Sequence, residues 1–489
     1  MSANLKQSGF LRVRAASPAM RRYAFVAFTM LVVVMGGASR SDVASLIFLR
    51  PLAFAFAAYA LLVRGPASHP VQRPLALLSL AALAVAWQLV PLPPNFWHQL
   101  PDREIIADID RLLGLESIWR PVAMSPAGAW NALFSLAVPL AGLLLYANLE
   151  SSDRKLLPVL WLAIAVTSAM LGLAQLLGPP EGPLYHYANS TDGMPSGLFA
   201  NNNHQAVFLG AAIPLAFLWA GMSQRPGGVR LLIAAAGSAL FLWVVILTQS
   251  RAGIGVAVVG TALGIAMLVQ QHSATGFPAG ARNGKAQRTV SKLQASAIRH
   301  MTLLVTALVA VAAVGVLIIV RSSTIVQFEP SEEMRIRALP TIFEMLQSHW
   351  LIGAGGGSFD DAYRISEPTD LLSPYYLNQA HNDWLQVPIE YGLPGLAVLL
   401  WAMILFARAG LAVLRDSSLA ITARLAIVSP PLAFAAASLV DYPVRVPLVQ
   451  LVLICWLVAM RDHHKMFGAT AATRRTSARS SVYHPAAIR

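Results

Sequence analysis

The sequence predicts an all-α polytopic membrane protein with about 12 transmembrane helices. Of its 489 residues, 56% are hydrophobic and only 12% are charged, and the mean hydropathy is +0.59. Soluble domains of this size carry roughly a quarter charged residues. Cys455 is the single cysteine, so an intramolecular disulfide is excluded. It lies inside an apolar run.

Each predicted span is an apolar window of sufficient length to cross a bilayer. The windows fall near 23–39, 43–63, 74–93, 127–149, 155–178, 204–222, 229–248, 252–270, 301–320, 395–414, 420–439 and 444–460. A hydrophilic stretch at 321–394 predicts a large extramembrane loop between spans 9 and 10.

The basic residues predict the orientation. Several precede the first apolar run, which we interpret as an uncleaved first span. With the N-terminus in the cytoplasm, 25 of the 36 Lys and Arg residues fall on the cytoplasmic side. We therefore predict cytoplasmic termini and an outward-facing loop 321–394. The net charge of +13 is spread over short loops and tails, a distribution that argues against a nucleic-acid partner.

The chain divides into three predicted regions. Residues 1–189 hold spans 1–5 and an amphipathic segment near 104–115, which predicts a helix on the membrane surface or, alternatively, a lid. Residues 190–460 hold the remaining spans and the loop 321–394. The basic tail 461–489 is low in aromatic residues, and we predict that it is disordered.

One outer motif combines a titratable ring with helix-breaking residues at the mouth of a span. His381 and Asn382 are followed by nine residues and then by Gly392-Leu393-Pro394-Gly395. Imidazole titrates near neutrality, so a histidine here could take a proton from an alcohol without a metal. The alternative is an interfacial histidine that only makes structural hydrogen bonds.

Three arginines on the predicted outer side are candidate anion ligands. Arg251 lies in a tight turn between two apolar runs, where it either snorkels or meets an anion. Arg335 shares a helix face with Leu339, in a short helix predicted to end near Pro340, and Arg337 follows closely.

Asparagines and glycines complete the outer motifs. Asn201 and Asn203 are N-cap formers whose amides could also bond sugar hydroxyls, and Asn382 is a third candidate of this kind. Gly353 and 355–357 predict either backbone amides near a phosphate or a flexible connector. No cluster of outer-loop residues has convincing metal-ligand spacing, so we predict no metal and no cofactor.

These motifs resemble those of the O-antigen ligase and polysaccharide polymerase superfamily of bacterial inner-membrane proteins. The likeness rests on His381-Asn382 with Gly392 and Gly395, on Arg335 with Leu339, and on two further runs. Those runs are Gly197 to His204 and Ser250 to Gly253. Together they cover roughly residues 190–450.

The resemblance implies a glycosyltransferase of C-type (GT-C) architecture in the inner membrane. It would move glycan from undecaprenyl diphosphate to an acceptor hydroxyl, without metal and with inversion. His381 is then the implied base, and Arg251 and Arg335, with Arg337 as a substitute, are the implied diphosphate ligands. Guanidinium suits this role because its forked donors match phosphate oxygens.

Several interpretations stay open. With lipid A core as acceptor the protein would be a ligase, whereas a carrier-linked repeat unit would make it a polymerase. A 12-span transporter or lipid flippase would also explain the apolar bulk. It would not need a large outer loop rich in histidine and arginine, and the two halves of the chain show no repeat.

Overall fold

The computed structural model describes residues 16–63, 71–191, 193–222, 228–274, 330–372 and 377–467. Within these ranges the regular structure is helical, apart from a small antiparallel pair of strands, β1 (Pro91–Leu92) and β2 (Arg120–Pro121). The helices in chain order are α1 (Pro18–Met35), α2 (Ser45–Leu62), α3 (Gln72–Ala86), α4 (Pro94–Trp97), α5 (Glu104–Leu113), α6 (Pro126–Ser135), α7 (Ala137–Ala147), α8 (Leu156–Leu177), α9 (Asn202–Gly221), α10 (Gly228–Leu247), α11 (Arg251–Ala274), α12 (Pro330–His349), α13 (Phe359–Ser366), α14 (Asp383–Arg415), α15 (Ile421–Ala437), α16 (Pro447–Arg461) and α17 (His463–Phe467).

The described residues include 8 helices, some counted with the short helix before them, that are long and apolar enough to cross a membrane. They are Pro18–Met35, Ser45–Leu62, Pro126–Ala147, Asp153–Leu177, Asn202–Gly221, Val229–Leu247, Arg251–Gln270 and Asp383–Arg415. Helices α15 and α16 are apolar but shorter. The predicted span 301–320 lies outside the described residues. The all-α polytopic class is therefore confirmed, while the number of spans stays a prediction.

Helix α9 forms the centre of the bundle, since 89% of its apolar window is buried. It packs against α8, α10, α11 and α15. Glycines permit the closest of these contacts: a Cβ on Gly253 of α11 would overlap the Cβ of Ala206 in α9. Small residues commonly let membrane helices approach in this way. The Ser-Arg-Ala-Gly turn thus sets α11 against the start of α9.

The region around α12 and α13 has a hydrophobic core of its own. Helices α12 and α13 pack against the start of α14 through buried side chains that include Ile342, Phe359, Tyr363 and Ile389. The predicted amphipathic helix is present as α5, and it exposes apolar side chains such as Leu112, at 87%. An apolar face open to the surroundings suits a membrane surface.

The helices continue past two predicted breaks. The last part of the predicted loop 321–394 is helical, because α14 begins at Asp383 and passes through Gly392 as a kink with φ 60° and ψ −151°. Leu393 N–H donates to the Leu351 carbonyl at 3.1 Å, so tertiary contacts hold the kink. Likewise, α12 continues through Pro340 instead of ending there.

The start of the C-terminal tail is structured. Residues 463–467 form α17, and its Met466 and Phe467 are buried. The Tyr146 hydroxyl donates to the Met466 sulfur at 3.4 Å. The prediction of disorder from 461 therefore does not hold for these residues, because two apolar side chains attach them to the bundle.

Candidate functional site

Asn382 fixes the position of His381. The Asn382 side chain caps α14 by accepting hydrogen bonds from Trp384 N–H at 3.0 Å and Leu385 N–H at 3.2 Å. Its amide also donates to the Leu439 carbonyl at 2.9 Å. His381 precedes the cap with φ 48°, in the left-handed region that histidine, asparagine and aspartate tolerate best among residues with a Cβ. The backbone thus holds the imidazole against the turn after α15.

Asp441 in that turn orients the imidazole. Its Oδ1 lies 3.2 Å from His381 Nδ1, and the Asp441 side chain is only 5% exposed. Burial raises the pKa of Asp441, but His204 and His381 outweigh it and hold that pKa well below the usual range. A carboxylate can only accept, so Nδ1 carries the proton and Nε2 keeps its lone pair.

A second histidine and a tyrosine complete the cluster. His204, near the start of α9, places Nε2 3.7 Å from the other Asp441 oxygen. The Tyr442 ring centroid lies 5.0 Å from that of His381 and 5.1 Å from that of His204. Asp441 therefore sits between two imidazoles, with an aromatic ring against both.

The pKa of His381 is lowered from its ordinary value. Burial is the largest cause, Asp441 opposes it, and the charge of Arg335 and the neighbouring His204 lower the pKa further. The imidazole is therefore neutral at physiological pH. A neutral ring with a fixed tautomer is the form that can accept a proton.

His381 lines a cavity of about 200 Å³, which we call the histidine cleft. Its walls bring together a predicted arginine, Arg335, and a predicted asparagine, Asn201. No hydrogen bond or ion pair to another described residue occupies the Arg335 guanidinium. The complete lining is Gly37, Ala38, Ser39, Arg40, Asn189, Ser190, Thr191, Ala200, Asn201, His204, Arg335, Asn378, His381 and Tyr442.

Two of the predicted arginines lie elsewhere. Arg337 is not among the residues that line the histidine cleft, and it donates to Asp370 at 2.7 Å, where both side chains are exposed. Arg251 begins α11 and is exposed, and it is not among the residues that line the cleft. Of the pair that the sequence could not separate, Arg335 is thus the one that faces His381. A role for Arg251 stays a prediction.

The asparagines have structural contacts as well as cleft positions. Asn201 caps α9 by accepting from Asn203 N–H at 2.8 Å, and its amide lies 3.5 Å from Asp441 Oδ2. Asn202 donates to the Thr248 carbonyl at 2.8 Å, which connects α9 to the turn before Arg251. Asn203 is half-buried on the first turn of α9.

The glycine run after α12 does not present its amides to a ligand. Gly355 N–H donates to the Glu390 carbonyl at 2.9 Å, and Gly356 N–H donates to Gln88 at 3.0 Å. Gly353, Gly355 and Gly357 have positive φ values, which glycine adopts without strain. The run is a close-packed support for the kink in α14.

A second cavity has a volume of about 650 Å³, and we call it the tryptophan cleft. The segment 37–42 contributes to both cavities, with residues 37–40 lining the histidine cleft and residues 41 and 42 lining the tryptophan cleft. Trp130, 49% exposed, shares this cleft with Asp360 and Asp361. Segment 37–42 is thus a shared wall.

Arg445 braces the turn that carries Asp441. Its guanidinium lies 2.8 Å from Asp383 and 3.0 Å from Glu390, and the Glu390 side chain is 1% exposed. The Ser438 hydroxyl donates to the second oxygen of Asp383 at 3.0 Å. Arg445 therefore joins two turns of α14 to the segment 438–446.

Comparison with known protein families assigns part of the chain to a family. Residues 236–400 match the family described as O-antigen ligase (Wzy_C). This region belongs to the O-antigen ligase family. The match confirms the resemblance of this region to the ligase and polymerase superfamily, and the apolar helices indicate a multi-pass membrane protein. No curated protein sequence matches the chain.

The O-antigen ligase match includes all the predicted arginines and His381, but the site extends beyond it. His204, Asp441 and Tyr442 lie outside residues 236–400, and we did not predict roles for them. The available signal was the turn Asp441-Tyr442-Pro443, which is polar although it lies between two apolar windows. A charged residue at such a position is a functional candidate.

Proposed function

We propose that this protein transfers a glycan from undecaprenyl diphosphate to an acceptor hydroxyl on the outer face of the membrane, as an inverting and metal-independent enzyme of GT-C architecture. The acceptor hydroxyl attacks the anomeric carbon of the donor. The bond between that carbon and the diphosphate oxygen breaks, and undecaprenyl diphosphate leaves. Lipid A core is the proposed acceptor, and the bacterial inner membrane is the proposed location.

His381 is the proposed base. Its Nε2 accepts the proton of the attacking hydroxyl, and the resulting imidazolium is stabilised by ionised Asp441 at Nδ1. General base catalysis of this kind contributes about 10²- to 10⁴-fold to a rate. The observation that carries the proposal is the placement of this carboxylate-oriented, neutral imidazole in one cleft with Arg335.

Arg335 is the proposed ligand of the diphosphate. A glycosyl diphosphate gains negative charge on the departing oxygen, and a guanidinium stabilises this charge with two parallel hydrogen bonds. Arg40 lines the same cleft and is held by Asp42 at 2.7 Å and 3.0 Å. We propose that it supplies a second cation to the same group.

The tryptophan cleft is the proposed acceptor side. Carboxylates accept hydrogen bonds from sugar hydroxyls, and an indole ring offers a flat apolar surface to a pyranose. Asp360, Asp361 and Trp130 provide these groups beside the shared wall 37–42. A glycan donor in the histidine cleft and an acceptor in the tryptophan cleft would meet at the shared wall.

Replacement of Arg335 with lysine tests the donor contact. Arg335→Lys keeps the charge but loses the bidentate fork, so we expect kcat/KM for a carrier-linked oligosaccharide to fall about tenfold or more. The control is Arg337→Lys, which alters an exposed arginine two residues away and should transfer normally. Equal effects of the two variants would remove Arg335 from the donor site.

The pH profile tests the histidine and aspartate pair. Transfer should decline as pH falls through the lowered pKa of His381, because protonation removes the base. Asp441 raises that pKa, so Asp441→Asn should move the acid limb of kcat/KM to lower pH and also reduce the plateau. Asp370→Asn, at an exposed ion pair, should leave the profile unchanged. A lower plateau with an unmoved limb would show that Asp441 is only structural.

Trp130→Ala tests the acceptor side. We expect the KM for acceptor to rise about fivefold with little change in kcat, because an aromatic contact is worth about 1 kcal/mol and acts on binding. Trp119→Ala is the control, since Trp119 is exposed and does not line the cleft. An unchanged acceptor KM, or an equal effect of both variants, would place the acceptor elsewhere.

A further inference from the structure

A cluster of histidine and aspartate side chains lies far from the site described above. Asp416 ends α14, the helix that begins beside His381, and the adjacent His463 and His464 begin α17. A 33-residue helix therefore separates the cluster from His381, which places it at the opposite face of the bundle. It is independent of the proposed transfer reaction.

Three ligand atoms converge on one point in this cluster. His463 Nε2 lies 3.2 Å from Asp416 Oδ2, and His464 Nδ1 lies 3.1 Å from the same oxygen. All three atoms are within 4.8 Å of one another. Ligands at about 2.0–2.1 Å from a tetrahedral Zn²⁺ are separated by about 3.3 Å, close to these two distances.

The hydrogen bonds around the cluster leave lone pairs facing each other. His463 Nδ1 lies 2.8 Å from the Met460 carbonyl, which can only accept, so the proton of a neutral His463 is on Nδ1. Its Nε2 then presents a lone pair to the Asp416 carboxylate. Both His463 Nε2 and Asp416 Oδ2 are buried and lack a hydrogen-bond partner among the described residues.

A cation between these atoms would be bound by the lone pairs that otherwise face each other. The two imidazole centroids are 4.1 Å apart, so one metal ion beside both rings and the carboxylate can use all three lone pairs at once. Imidazole and carboxylate suit zinc and neighbouring divalent ions.

We propose that Asp416, His463 and His464 bind a divalent transition-metal ion, best matched by Zn²⁺, with water as the fourth ligand. His463 is only 3% exposed, and the buried Met466 and Phe467 anchor α17. The two histidines of α17 are therefore held in place before the ion binds. The ion would connect the end of α14 to the segment after α16. Its role is structural, because the reacting groups lie at the other end of α14.

The test uses the full-length protein in detergent, purified without a polyhistidine tag and stripped by a chelator. We expect it to bind one Zn²⁺ per chain and to melt several degrees higher with Zn²⁺ than without. Added Co²⁺ should give the visible absorption of a four-coordinate site. Loss of a residue that only hydrogen-bonds to a metal ligand costs about 10- to 100-fold in metal affinity. His464 is a proposed direct ligand, so His464→Gln should weaken Zn²⁺ binding by at least about 100-fold.

His464→Gln is a sound variant because its side chain is 67% exposed, and the fold does not depend on it. The matched control is His186→Gln, an exposed histidine in another part of the chain, which should bind as the wild type does. Wild-type protein that binds no Zn²⁺ would overturn the proposal. Equal affinity in His464→Gln and wild type would overturn it as well.

Discussion

His381→Ala is expected to reduce kcat by about 10²- to 10⁴-fold, the usual contribution of a general base. His204 also lines the histidine cleft, but it cannot replace the lost base, because its side chain is only 3% exposed and its Nε2 lies 3.7 Å from Asp441. Binding of the carrier lipid should persist, since Arg335 and Arg40 remain. The measurement is turnover at saturating donor and acceptor, with donor binding measured separately.

His381→Asn separates catalysis from structure. Asparagine accepts the left-handed backbone conformation at this position and offers an amide to Asp441, but it has no basic nitrogen. We expect its stability to be close to that of the wild type and its turnover to match His381→Ala. His186→Asn, on an exposed loop histidine, should be fully active. Near-normal turnover of His381→Asn would remove the catalytic assignment.

Arg445→Gln is expected to lower the free energy of unfolding by about 3 kcal/mol or more, because removal of one partner leaves buried charge unpaired. Here two carboxylates, Asp383 and Glu390, would lose their shared cation, and their side chains are only 11% and 1% exposed. The thermal melting temperature of the purified protein measures the loss. Transfer should fall too, since the turn carries Asp441.

Arg337→Gln is the control for this stability effect. The Arg337–Asp370 pair has a comparable length, but its side chains are 47% and 68% exposed, so its removal should cost at most about 1 kcal/mol. A melting temperature for Arg445→Gln no lower than for Arg337→Gln would show that the buried network is not a major source of stability.

The sequence predicts the helices well because apolar composition and span length are local properties. Local rules failed where tertiary contacts decide the outcome. Gly392 and Pro394 were interpreted as the end of a loop, yet α14 passes through them because the glycine run after α12 holds the kink. Pro340 likewise lies within α12. A breaker residue identifies a bend but not whether the helix resumes.

Candidate residues for the site were predictable only where a motif marks them. His381 and Arg335 belong to recognisable patterns, and the structure places them in one cleft. Asp441 follows His381 by 60 residues in a short turn, and His204 precedes it in another span. Such pairings depend on the packing of α9, α14 and α15, which no local pattern encodes. The choice of Arg335 over Arg337 also needed the orientation of α12.

The most direct test of the central claim is a transfer assay with purified protein, a defined undecaprenyl diphosphate oligosaccharide and two acceptors in separate reactions, lipid A core and a carrier-linked repeat unit. We predict that the lipid A core reaction gives one undecaprenyl diphosphate for each glycosylated acceptor, with an inverted linkage. Product only from the carrier-linked repeat would instead identify a polymerase. Intact donor in both reactions, with passage of the donor across a proteoliposome membrane, would contradict the account and identify a transporter.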